Sequence, residues 1–146
     1  MSFFNRRHFF STVVSDDLKS VMEEYLQHRG NEPKGHWRPP ADLVQVEDGY
    51  VAQFELSGVA VEDLSVLVCG NQLQISGIRR ECCQREKLAY CQMEIHHGPF
   101  ERAITLPEPV NAGAATARLE NGMLEIFLPH ARRRTSRIAR CEIHIG

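Results

Sequence analysis

One short stretch, "ECCQREKLAYCQMEIHHGP", holds the side chains best suited to chemistry: Cys82, Cys83, Cys91, His96 and His97. Thiolate and imidazole together suggest zinc, yet zinc sites favour cysteine pairs with a short spacer, and vicinal cysteines point apart on an extended chain. No metal site is expected. Arg79, Arg80, Arg85 and Lys87 nearby would favour thiolate, so oxidation is a hypothesis to set beside ordinary reduced cysteines. Five cysteines without framework spacing read as free thiols of a cytoplasmic protein rather than as bridges. The chain contains no phosphate-binding Gly-Lys-Ser/Thr loop, no G-x-S-x-G elbow, no H-E-x-x-H and no G-x-G-x-x-G. An enzyme would need a catalytic pair that is not there to be named, so neither enzymatic activity nor a cofactor is expected.

The elements that carry these residues fit one globular domain with flexible ends: 146 residues, 42% hydrophobic and 25% charged. No eighteen-residue apolar run exists, so no membrane span is expected. The first residues, "MSFFNRRHFFSTVV", faintly resemble a mitochondrial transit peptide; the reading adopted is a mature cytosolic arm. Net charge is −2, from 0 over residues 1–36, −6 over 37–129 and +4 over 130–146. The single basic run "ARRRTSR" sits behind an acidic body that would repel phosphate, so nucleic acid is not an expected partner.

Residues 15–28 place Leu18, Val21, Met22, Tyr25 and Leu26 at helical spacing behind Ser15 as N-cap, which predicts an amphipathic helix in an N-terminal arm, 1–36. From Trp37 to Pro129 the period becomes two. "DLVQV" and "YVAQFEL", "LSVLV" and "QLQISGI", and "AATARL" and "MLEIFL" read as hairpins, the last across Asn121-Gly122, and "FERAITL" as a further strand. This predicts an all-β, antiparallel immunoglobulin-like sandwich. Its core or apolar faces should include Leu43, Val44, Phe54, Leu56, Leu73, Ile75, Ile104, Leu119, Leu124 and Ile126.

Three features do not fit a closed monomeric sandwich. About twenty residues join Ile78 to Phe100, where a hairpin needs only a few, and "LAYCQMEI" within them could form a strand that pairs with another subunit's edge. Arg102 falls in phase with Phe100, Ile104 and Leu106, so its guanidinium must find a carbonyl or carboxylate at the rim or at a subunit interface. The extension 130–146 ends on "CEIHIG", two isoleucines spaced for one face of an extended segment.

The motifs Trp37-Arg38-Pro39-Pro40-Ala41-Asp42, Gly98 to Pro107 ("GPFERAITLP"), Ala117 to Leu124 ("ARLENGML") and Ile143-His144-Ile145 resemble, in order and spacing, the small heat-shock proteins and their α-crystallin domain. The departures are Leu56-Ser57-Gly58 in place of Leu-Pro-Gly, His130 in place of Lys, and the cysteines. The resemblance implies an ATP-independent chaperone that binds unfolding client proteins and assembles with itself, as dimers and then higher oligomers. It implies that Ile143 and Ile145 dock in a neighbouring subunit's groove, for which Leu64, Val66 and Val68 with the small Ala115 and Ala117 are the candidate walls. It implies a dimer interface at Leu88, Tyr90, Gln92 and Arg102, and clients held by Phe3, Phe4, Phe9, Phe10, Val13 and Val14 of the arm. A non-enzymatic co-chaperone-like adaptor on the same sandwich is the alternative.

Overall fold

The computed structural model describes residues 37–131 and 140–146. The predicted helix and the six apolar residues of the arm lie outside them, as does most of the Arg-rich stretch before the tail.

Among the described residues eight antiparallel strands make two sheets: β1 (Ala41–Val46), β2 (Gly49–Glu55), β3 (Leu64–Cys69), β4 (Gln72–Arg79), β5 (Gly98–Thr105), β6 (Thr116–Glu120), β7 (Met123–Pro129) and β8 (Arg140–Glu142). One sheet runs β1-β2-β7-β6 and the other β5-β4-β3-β8. Alternation along each strand turns apolar residues inward, where Phe54, Leu56, Val66, Val68, Ile75 and Leu124 are fully buried between the sheets. The β6–β7 hairpin closes on Asn121 and Gly122 with φ of 52° and 78°, the left-handed pair that a two-residue turn demands and that Asn-Gly supplies.

One expected core position comes out differently. Leu43 is half-buried against the core while Val44 is 47% exposed, because neighbours on one strand face opposite ways. Ile104 and Leu119 pack against the core but are only half-buried, since β5 and β6 stand at sheet edges. Among the described residues nothing pairs with the outer edge of β1, which presents Val44 and Val46 to solvent.

The long connection forms no strand in the single chain. Residues 81–96 are exposed throughout, Leu88 to 97%, and the β-forming run Leu88–Gln92 has no ladder partner. A strand needs another strand's unpaired N–H and C=O groups, and in the single chain β4 and β5, which flank the connection, pair with each other and not with it.

Candidate functional site: the tail groove

On one side of the sandwich β3 and β6 belong to opposite sheets and leave a cleft between them. From β3, Leu64, Val66 and Val68 face it, buried; from β6, Ala117 is buried and Ala115 just before the strand is half-buried. Alanine matters here because a side chain of one carbon leaves room that a larger residue would fill. The candidate walls named from sequence are therefore brought together.

The C-terminal tail occupies that cleft. β8 runs antiparallel to β3 with Cys69 opposite Arg140, Val68 opposite Cys141 and Leu67 opposite Glu142. The Ile143 N–H then donates to the Val66 carbonyl at 2.9 Å. The tail next crosses to the other sheet, where Ile145 bridges Ala117 and the Gly146 N–H donates to the Ala117 carbonyl at 2.7 Å. Ile143 and Ile145 end 4% and 3% exposed. The implied docking into a neighbour's groove is thus replaced in the single chain by docking into its own. The reason is geometric: the groove's ladder groups and pockets are identical in every copy, so the chain's own tail can satisfy them.

Cys141 was missed. It shares the inward face of the tail with Ile143, since it opposes Val68 as Ile143 meets Val66, and it packs against the core. Stepping back two residues from Ile143 would have found it. Glu142, on the other face, has one carboxylate oxygen buried without a hydrogen-bond partner. Burial pushes its carboxyl above the ordinary value, and the charge of His144 opposes the shift.

A second cluster lies where the long connection leaves and re-enters the sandwich. The Trp37 indole N–H donates to the Gly98 carbonyl at 3.1 Å, and its ring stacks on His96 at 6.1 Å between centroids. Arg79 ends β4 with its guanidinium 4.2 Å over the Trp37 ring. It donates to the His96 carbonyl at 3.1 Å and stands 3.8 Å from Glu55. The Ser57 hydroxyl and N–H hold that Glu55 carboxyl below the usual range, with Arg79 adding to the shift. Both roots of the connection are fastened to Trp37 in this way. Sequence reading took Arg79 only as a charge near the thiols, although it is in phase with Leu73 and Ile75 and is only 8% exposed.

Arg102 does lie on the inner face of β5, opposite the buried Ile75, and meets its need with a carbonyl: Nη1 donates to Pro39 at 3.0 Å while Nε stays unpartnered. Leu88, Tyr90 and Gln92 stand out in solvent, away from it in sequence and unpaired as strands. Cys82, Cys83 and Cys91 are exposed free thiols, and among the described residues no three His, Cys, Asp or Glu side chains come together as a metal site. No helix among them is long and apolar enough to cross a membrane.

Comparison with known proteins agrees with this architecture. Residues 42–145 match the model of the Hsp20/alpha crystallin family. Small heat shock protein C2 of Rickettsia felis is 33% identical over 91 residues, which make up 62% of this chain and 59% of that protein. Small heat shock protein C4 of the same organism is 30% identical over 126 residues, covering 86% of this chain and 76% of that one. Among solved structures, heat shock protein 16.0 from Schizosaccharomyces pombe superposes with a TM-score of 0.63 at 29% identity, over 75% of this chain and 87% of that one. A small heat-shock protein from Xylella fastidiosa, described as having a distinct high order structure, gives 0.59 at 27% identity, over 72% and 97%. Two antiparallel sheets, the matched span and these likenesses have one meaning: this chain belongs to the Hsp20/alpha crystallin family.

Proposed function

We propose that this chain is an ATP-independent molecular chaperone of the cytoplasm, a non-enzymatic holdase that binds unfolding proteins and works as an exchangeable oligomer of dimers. The observation that carries the reading is the docked tail: three ladder pairs and two buried isoleucines seat a short peripheral strand on a groove that every copy possesses. Exchanging an identical element between copies preserves its contacts, so the tail can leave its own groove for a neighbour's at little net free-energy change. Burying two isoleucines contributes roughly 1.5–3 kcal/mol each, and fixing each residue's backbone costs about 1–2 kcal/mol. One docking event is near balance; many in one assembly hold through effective concentration.

The dimer below that oligomer forms when Leu88–Gln92 of one chain adds to the open β1 edge of another. Exposed Leu88, Tyr90 and Ile95 on one side and exposed Val44 and Val46 on the other support it, and the high order structure of the Xylella fastidiosa relative supports self-association. In the arm, Phe3, Phe4, Phe9, Phe10, Val13 and Val14 form an apolar sequence without strong period. Sequestered in the assembly, they become available to clients when subunits exchange.

Docking of the tail on its own groove favours one second reading, a small co-chaperone-like adaptor that keeps its groove shut. Suppression of a heat-denatured client's aggregation without nucleotide tests the first reading, and native mass separates the two. Aggregation left unchanged at stoichiometric chaperone removes the holdase; a monomer or dimer at working concentration selects the adaptor.

A further inference from the structure

Three of the five cysteines fall within the ten residues 82–91 of the exposed connection, and all three are free and exposed. The other two are half-buried in the paired strands β3 and β8, where Cys69 opposes Arg140 and Cys141 opposes Val68, so those thiols leave opposite faces of the sheet.

The connection is curled rather than extended. The Tyr90 hydroxyl donates to the Glu81 carboxylate at 2.6 Å, and the Lys87 ammonium donates to the same carboxylate and stands 3.2 Å from the Tyr90 hydroxyl. One carboxylate therefore gathers residues 81, 87 and 90. Cys82 and Cys83 directly follow Glu81 and Cys91 directly follows Tyr90, so the contact draws together the two arms that carry the thiols. The vicinal pair is splayed, with the Cys82 Sγ 3.9 Å from the Arg80 carbonyl and the Cys83 Sγ 3.9 Å from the Arg85 carbonyl. Cys91, next to Tyr90, is thereby carried toward the arm that holds both other thiols. No strand ladder resists the adjustment that disulfide geometry requires, and a loop this short closes quickly and at small entropic cost.

The geometry points to Cys91 and the vicinal pair Cys82-Cys83 as a reversible intrachain dithiol–disulfide site, oxidised by hydrogen peroxide, that governs whether the connection can extend. One thiol attacks peroxide and breaks its O–O bond, giving a sulfenic acid and water. The thiol on the other arm attacks that sulfur, forming the S–S bond and releasing a second water. Two thiols and one peroxide give one disulfide and two waters. The bond ties Cys91, inside Leu88–Gln92, to the opposite arm, so the stretch cannot lie flat along another copy's β1. This last consequence rests on the segment-exchange dimer proposed above.

The full-length chain, reduced and freed of reductant, is treated with stoichiometric hydrogen peroxide. Expected are the loss of two titratable thiols, an intact mass lower by two hydrogens with no added oxygen, and a peptide map linking Cys91 to Cys82 or Cys83. The dimer fraction in native mass spectrometry should fall severalfold, and dithiothreitol should reverse every change. Cys91→Ser should form no link and keep its dimers under peroxide. Bonds between chains on a non-reducing gel, or oxygen addition without a link, overturn the site. A link that leaves the dimer fraction unchanged overturns its control of exchange. The exchange reading itself is judged separately, by whether the reduced protein loses its dimers when residues 84–92 are deleted.

Discussion

The backbone N–H of Ile143 donates to the carbonyl of Val66 at 2.9 Å, so the tail isoleucine is held by a ladder bond on a strand seventy-seven positions earlier in the same chain. That bond extends the β3–β8 pairing past the last named ladder pair and delivers the side chain into the cleft. Assembly then becomes a competition between grooves rather than the filling of an empty one.

Replacing both Ile143 and Ile145 by Gly removes the buried anchors and raises the entropy of the freed tail. Native mass spectrometry should show dimers in place of the larger oligomer, with the β-sheet circular dichroism retained because β1 to β7 are untouched. Ala117→Leu should give the same result from the groove side by filling the space beside Ile145. Full oligomer mass in both variants would move the lock elsewhere, to the arm.

Ile75 and Val44 separate folding from association. Ile75 is fully buried between the sheets, so Ile75→Ala should lose about 2–5 kcal/mol in denaturant unfolding. Val44 faces solvent on the open edge strand, and Val44→Lys should change unfolding by less than about 0.5 kcal/mol. The same lysine should weaken dimers, since charge on an edge strand blocks strand addition. Dimers unaffected by Val44→Lys would place the interface away from β1.

Deleting residues 84–92 should leave a folded monomer, because nothing in that stretch is buried. Analytical ultracentrifugation checks the mass. Arg102→Ala should then weaken assembly more than Arg118→Ala. Arg102 links the inner face of β5 to Pro39 at 3.0 Å, next to the free edge. Arg118 stands on β6 in a partly exposed ion pair with Glu120 at 3.1 Å, of the kind that contributes little. Equal effects would mean that Arg102 serves only the rim.

Tail docking should respond to pH through Glu142. Its carboxyl is raised above the ordinary value of 4.5 by burial, so the docked state favours the protonated form. The resulting stabilisation is fully present below about pH 4.5, the undocked value, and is lost as pH rises through the raised docked value. Hydrogen exchange at Ile143 and Gly146, corrected for intrinsic rate, should show protection falling across that window. Glu142→Gln, which cannot ionise, should flatten the profile. A variant with an unchanged profile would move the dependence away from Glu142; Glu55 and Glu81, whose hydrogen-bonded carboxyls have lowered values, favour higher pH and cannot supply a fall in protection as pH rises.

Whatever depends on neighbouring residues was legible along the chain. Period-two alternation set the strands and the inward faces of Phe54, Ile75 and Arg102. Asn121-Gly122 set a hairpin, and the spacing of Ile143 and Ile145 set one apolar face to the tail. Where the period was read without its constraint, as with Leu43 and Val44 side by side, the facing was wrong for one of the two. The walls of the groove were legible for the same reason, because small residues in phase on one strand opposite branched residues on another leave room between them. The choice of partner for each strand came from the folded arrangement. It seated the tail on its own β3 and β6, left Leu88–Gln92 without a ladder, and folded Arg79 over Trp37 at the root of the connection. The physical reason is that a strand's sequence specifies its faces, whereas its edge offers the same N–H and C=O groups to any strand. Which one arrives is settled by chain connectivity and by competition among copies.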